Sequence, residues 1–161
     1  MRRLIKQRDI VVDGWRYADE DPVGRERALI LPFARWKEER ERWWLWDGRL
    51  GVRIGPTDPV AELQHDFLRV SLVAIEFGGL AEGRGYSQAH LLRKRFKFTG
   101  ELRAVGKIQR DQLFFMARCG FDAFELPEGA NLEEAIRSLD DFSVAYQGAV
   151  DSGVTLERRA V

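Results

Sequence analysis

The apolar and polar positions of this chain fall into short alternating blocks. ALILPF (28–33) is a brief apolar run bounded by Pro32 and predicts a buried strand. ARWKEERERWWLWDG (34–48) has the charge mixture of a helix and stops at Asp47-Gly48. LGVRIGP (50–56) predicts the next strand, closed by Gly55-Pro56. A helix with the body VAELQHDFL follows, with Asp58 as its N-cap and Pro59 as its first residue. RVSLVAIEFGG (69–79) is the strongest strand pattern, apolar on both faces until Glu76. A helix over GRGYSQAHLLRKRF (83–96), a strand in GELRAVGKI (100–108) and a helix in RDQLFFMARCG (110–120) come next. FDAFELP (121–127) predicts a strand, and NLEEAIRSLDDFSVAYQ (131–147) a helix capped by Asn131, with Glu133 and Glu134 in its first turn. Residues 1–27 read as a polar, irregular segment in which IVVDGWRY supplies at most a short edge strand or hairpin, and 148–161 as a frayed tail.

About five strand–helix units in succession predict a single α/β domain over 1–161 with a mainly parallel sheet and right-handed crossovers. Arg53, Arg103, Lys107, Asp122 and Glu125 interrupt the strands with charge, which fits a curved, half-barrel-like sheet better than a flat one covered on both faces. A closed (β/α)₈ barrel typically needs about 250 residues, so the expectation is an open sheet with barrel-like curvature as its variant.

Composition removes several classes of function. Lysine plus arginine and aspartate plus glutamate both total 26, so the whole-chain charge gives no reason to expect nucleic acid or a membrane as the main partner. No uncharged stretch approaches the roughly 18 residues of a membrane span, and the start MRRLIKQRDIVVDGW lacks a continuous apolar signal core. Cys119 is the single cysteine, excluding an intrachain disulfide and agreeing with a cytoplasmic location. His65 and His90 lack the thiols or clustered carboxylates of a metal site, so no metal is expected.

The charge is unevenly spread: between Gly83 and Arg118 nine basic residues face two acidic ones. In parallel α/β folds, sites form beyond the carboxyl ends of strands, which selects the candidates. Arg84, Gly85, Tyr86 and Ser87 belong to a glycine-rich strand-to-helix loop that offers either an anion site or merely a tight turn capped by Tyr86 or Ser87. Lys107 and Arg110 stand near the next strand end and would either orient an anion or remain exposed. Glu76 and Glu125 make an acid–base pair if they converge, or ion-pair with Arg103 or Lys107 if they do not. The run Arg93–Phe98 reads as a solvated basic rim at a helix C-terminus, and Cys119 as a packed residue before the helix-ending Gly120. Trp36, Trp43, Trp44 and Trp46 suggest an aromatic helix face shared between the core and a subunit interface, hence a homo-oligomer.

The segments GRGYS (83–87), GELRAVG (100–106), RDQL (110–113), RCGFDAFEL (118–126) and DDFSVAYQ (140–147) resemble a bacterial family, domain of unknown function 934; GVRIGPTDPVAEL (51–63) fits it too. The resemblance implies a role in assimilatory sulfite reduction, as an oxidoreductase or accessory factor binding a small anion, or as a non-catalytic adaptor binding sulfite reductase or its electron donor. It implies no catalytic residue. The cofactor stays open, because no glycine fingerprint for a nicotinamide or flavin is complete.

Overall fold

The computed structural model describes residues 1–19, 23–79 and 83–140. It contains strands β1 (Arg3–Lys6), β2 (Asp9–Val12), β3 (Arg16–Tyr17), β4 (Ala28–Pro32), β5 (Arg49–Ile54), β6 (Val70–Phe77), β7 (Glu101–Gly106) and β8 (Ala123–Phe124). Helices are α1 (Phe33–Glu38), α2 (Arg40–Leu45), α3 (Arg84–His90), α4 (Leu113–Arg118) and α5 (Leu132–Ser138). The strands form one sheet in the order β2-β1-β8-β7-β6-β5-β4-β3. From β3 to β8 every pairing is parallel; β1 joins antiparallel to both β2 and β8.

Connectivity forces this sheet to curl. Its two edges, β2 and β3, are consecutive in sequence, joined only by residues 13–15. Four Cα steps from Val12 to Arg16 span at most about 15 Å. Eight strands laid flat at about 4.8 Å spacing would hold those edges roughly 34 Å apart. A half-barrel-like curl resolves the conflict, and a side-chain contact agrees with it. The Tyr17 hydroxyl donates to Glu125 Oε2 at 2.6 Å, although β3 and β8 lie five strand spacings, about 24 Å, apart in a flat sheet.

The outer face is the apolar one. Leu29, Leu31, Val52, Ile54, Val73, Ile75, Phe77 and Leu102 pack there beneath helical residues that include Trp36, Trp43, Leu92, Met116 and Ala135. The inner face alternates with it: register places Leu72, Ala74 and Glu76 beside Glu101, Arg103 and Val105. Ile30, Leu72, Ala74 and Val105 make a small apolar patch there, covered by Trp15 and Tyr17. The 13–15 link therefore fills the concavity that the curl creates.

Several expectations change at this level. Residues 1–17 supply three strands instead of an irregular segment: β1 and β2 pair as a hairpin, while IVVDGWRY contributes β3 and most of β2, the two edge strands, and forms no hairpin of its own. The expected helix after Asp58 is a 3₁₀ segment, Val60–Asp66. Asp58 does not cap it, since its carboxylate turns back to accept from the Gly55 N–H at 2.7 Å. The 34–48 helix is two short helices meeting at Glu39, and the α3 helix continues as a π-type turn over Leu91–Arg95. Asn131 caps α5 as expected, its Oδ1 accepting from the Glu134 N–H at 3.0 Å. Residues 141–147 of that predicted helix and the 148–161 tail lie outside the described residues.

Candidate functional site

The curl gathers charge from four elements onto the inner face. Arg103, at 1% exposure, is central. Its guanidinium donates to Asp13 at 3.0 and 3.2 Å and to Glu101 at 2.9 Å, and it stands 3.6 Å from Glu125. Arg2 donates to Asp13 at 2.8 Å and lies 3.5 Å from Glu125; Lys6 pairs with Glu101 at 2.9 Å. Two guanidinium groups stand over the Tyr17 ring, that of Arg2 at 4.7 Å and that of Arg53 at 5.6 Å from its centroid. Arg53 in turn reaches Asp19 at 2.5 Å and Glu76 at 3.7 Å.

These contacts set the protonation of the cluster. Burial raises the Asp13 carboxyl, but the hydrogen bonds and charge of Arg103, the Trp15 N–H and Arg2 outweigh it and hold Asp13 below its ordinary value. Burial pushes the Tyr17 phenol well above its usual range, and the Glu125 carboxylate pushes it further. Burial opposes the charge on Arg103, but Glu101 and Asp13 more than compensate, so it stays cationic. The network is closed on itself: each buried charge has an opposite partner within hydrogen-bond reach.

A cleft of about 770 Å³ opens at the carboxyl ends of β7 and β8, lined by Arg2, Arg3, Gly106, Glu125, Pro127 and Gly129 among others. A second, of about 500 Å³, lies across the 126–130 segment and includes Gln109, Arg110 and Glu134. This is where strand-end sites form in such folds.

The sequence-selected residues are dispersed around it. Glu125 lines the first cleft and Arg110 the second, where Arg110 ion-pairs with Glu134. Arg84, Gly85, Tyr86, Ser87, Lys107 and Glu76 line neither cleft. Register sets Glu76 and Glu125 either side of β7, each beside a cation, Arg53 for Glu76 and Arg103 for Glu125. Glu125 takes the expected ion pair with Arg103.

The glycine-rich loop has a packing explanation. A Cβ on Gly85 would sit 2.5 Å from the Phe77 ring, so glycine lets α3 rest directly on β6. Tyr86 stacks edge-on to Phe77 at 5.2 Å, and its hydroxyl accepts from Gln112 at 3.4 Å. Neither Tyr86 nor Ser87 caps the helix: Gly83 is the N-cap and supplies no side-chain bond. Arg84 is exposed, with one guanidinium nitrogen 3.4 Å from the Pro56 carbonyl. Lys107 is exposed beyond Gly106, whose φ of +92° and contact with the Phe77 carbonyl demand glycine, and its N–H donates to that same carbonyl at 2.8 Å.

The basic run also divides. Arg93 is not a solvated rim residue; it donates to the carbonyls of Gly120, Phe98 and Gly100 at 2.8–2.9 Å, tying the end of α3 to two loops. Lys94, Arg95 and Lys97 are exposed. Sequence reasoning missed Arg2, Asp13 and Tyr17 entirely. The one local signal was Glu101 and Arg103 two residues apart, opposite charges on a single strand face.

Together these features define an α/β protein with a curled, mostly parallel sheet and an internal ion network. The chain belongs to a bacterial family of proteins of unknown function, DUF934, whose model matches residues 51–156. No curated relative matches it. Among the described residues, no three His, Cys, Asp or Glu side chains gather as a metal ion requires, and no helix is long and apolar enough to cross a membrane.

Proposed function

We propose that the protein is a cytoplasmic accessory factor of assimilatory sulfite reduction that acts as a non-catalytic adaptor, binding sulfite reductase or its electron donor. The observation that carries this reading is the dispersal of the candidate groups. Of Glu76, Arg84, Lys107 and Glu125, only Glu125 lines either of the two clefts among the described residues, and the two carboxylates are engaged by cations of the same chain. General acid–base catalysis needs such groups within hydrogen-bond reach of one reacting centre. A protein whose titratable groups serve its own packing is better suited to binding than to turnover.

The test is growth of a deletion strain on sulfate and on cysteine, with complementation. The adaptor reading expects slow growth on sulfate alone, restored by the wild-type gene and equally by Arg84→Ala or Lys107→Ala. Normal growth of the deletion strain on sulfate would remove the pathway. Failure of a well-folded Arg84→Ala protein to complement would replace the adaptor by an anion-binding site at the glycine-rich loop.

A second reading is supported by the cleft beside Arg2, Gly106 and Glu125, which lies where strand-end ligands bind. There the protein takes up a small oxyanion such as sulfite, as an oxidoreductase or carrier. Calorimetric titration with sulfite distinguishes the two: saturable heat that Arg3→Ala abolishes favours the cleft, and no heat at millimolar sulfite removes it.

A further inference from the structure

The end of the molecule opposite the clefts, where β5, β6 and β7 begin, joins three segments distant in sequence. Arg69, just before β6, donates to the Trp46 carbonyl at 2.6 Å and the Trp43 carbonyl at 3.1 Å, which fastens it to the last turn of α2. Arg40 of α2 binds Asp66 through both carboxylate oxygens, at 2.8 and 2.6 Å. The Phe67 ring lies 4.9 Å from Phe98, which brings the segment after α3 to the same place.

Fixed in this way, the pole presents apolar side chains to solvent. Leu68 is 92% exposed and Leu45 89%, with Trp44 at 42%. Single exposed leucines need no explanation, but two on neighbouring segments, held by the half-buried Arg40–Asp66 ion pair and the carbonyl bonds of Arg69, make a shaped patch. Beside it stand Lys94, Arg95 and Lys97, exposed and making no ion pair among the described residues. Arg42 extends the positive charge along α2, sharing Glu39 at 3.6 Å. The margin is basic on the side of Lys94, Arg95 and Lys97; on the α2 side Glu41 and Asp47 are also exposed, Asp47 paired with Arg27.

We infer that this pole, with Leu45, Leu68 and Trp44 as its apolar centre and Lys94, Arg95 and Lys97 as its basic margin, is the docking surface for a protein partner whose own contact area is acidic around an apolar anchor. An apolar centre with a charged margin is the general anatomy of a protein interface, and opposite charge at the margin speeds encounter and selects the partner. A second copy of this chain is the wrong occupant, because a two-fold contact would set this basic margin near its own copy. The inference rests on the adaptor reading for the choice of partner to test, while the surface itself follows from the geometry.

Purified sulfite reductase is the probe, titrated by biolayer interferometry against immobilised wild-type protein, the Leu45→Ser/Leu68→Ser and Lys94→Glu/Arg95→Glu variants, and Phe115→Ser. Phe115 is also exposed, but on α4 against Tyr86, away from this pole. Circular dichroism confirms that each variant is folded. The expected result is saturable binding that weakens at least tenfold in either pole variant, weakens with added salt, and is kept by Phe115→Ser. Wild-type binding that both pole variants retain would overturn the surface and leave the adaptor reading standing. No binding to the wild type would overturn both. Self-association in sedimentation that the pole variants abolish would give the surface to a second copy and overturn the inference.

Discussion

Replacing Arg103 by leucine would remove the cation that neutralises the sheet interior. Asp13 and Glu101 are nearly inaccessible, with side-chain exposures of 1% and 7%. Stranding a buried charge by deleting its partner typically costs about 3–5 kcal/mol. Three remaining contacts place this case at the lower end: Asp13 keeps Arg2 and the Trp15 N–H, and Glu101 keeps Lys6. A loss of about 3 kcal/mol in a chain of this size corresponds to a melting temperature lower by roughly 6–12 °C. The sign of the pH dependence follows from Asp13. In the wild type its carboxyl is held below its ordinary value of 3.8, so its contribution is present above that value and lost as pH falls through the native one. Without Arg103 the largest contributions that lower the carboxyl are gone and it titrates higher than in the wild type, so acid neutralises the stranded charge sooner. The deficit against wild type should therefore be largest at pH 7 and shrink towards pH 4. Thermal melts of both proteins at several pH values measure this. A loss below about 3 °C at pH 7, or a deficit that grows on acidification, would refute the argument that Asp13 depends on Arg103.

Gly85→Ala should destabilise by about 1–3 kcal/mol, as overpacking does, because the added methyl meets the Phe77 ring; urea unfolding reads it, and no change would mean that α3 shifts freely on β6. Asn131→Ala should cost about 1 kcal/mol through the lost cap of α5, again by urea unfolding. Tyr17, held neutral above its ordinary value of 10.0, contributes stability that is present below pH 10 and lost as pH rises further. Tyr17→Phe should accordingly lose the Glu125 hydrogen bond at neutral pH and flatten the alkaline decline in melting temperature. Phenolate absorbance of wild type and Tyr17→Phe should coincide up to about pH 11.

The strands from 28 to 106 were legible because each is a run whose apolar residues commit to a buried face, bounded by glycine or proline. The curvature was legible for a related reason, since Arg53, Arg103 and Glu125 have no place in a flat sheet covered on both sides. The N-terminal strands were not. β2 buries none of its four residues fully, so its pattern carries no period-2 signal, and β1 pairs with β8 across more than a hundred residues. The same distance hid the centre of the ion network. Asp13 and Tyr17 look like ordinary turn and loop residues until the curl brings Arg103 and Glu125 to them. Arg93 was misjudged because a helix-end arginine reads as solvated locally, whereas the carbonyls of Phe98, Gly100 and Gly120 that receive it converge only after folding. The glycines of GRGYS were conspicuous for packing, with Gly85 seated on Phe77, and conspicuousness alone does not separate packing from chemistry.

The pairing of β1 with β8 also sets the order in which the chain can mature during synthesis. Ile5 lies opposite Phe124, so the partners are 119 positions apart in the chain. At roughly 5–20 residues per second, β1 waits about 6–24 s on the ribosome before its neighbour exists. During that interval one side of the β1–β2 hairpin has no strand to pair with, and Asp13 has been made long before Arg103. A nascent chain arrested before Ala123 would carry that unpaired edge permanently, and an open strand edge invites another chain to fill it.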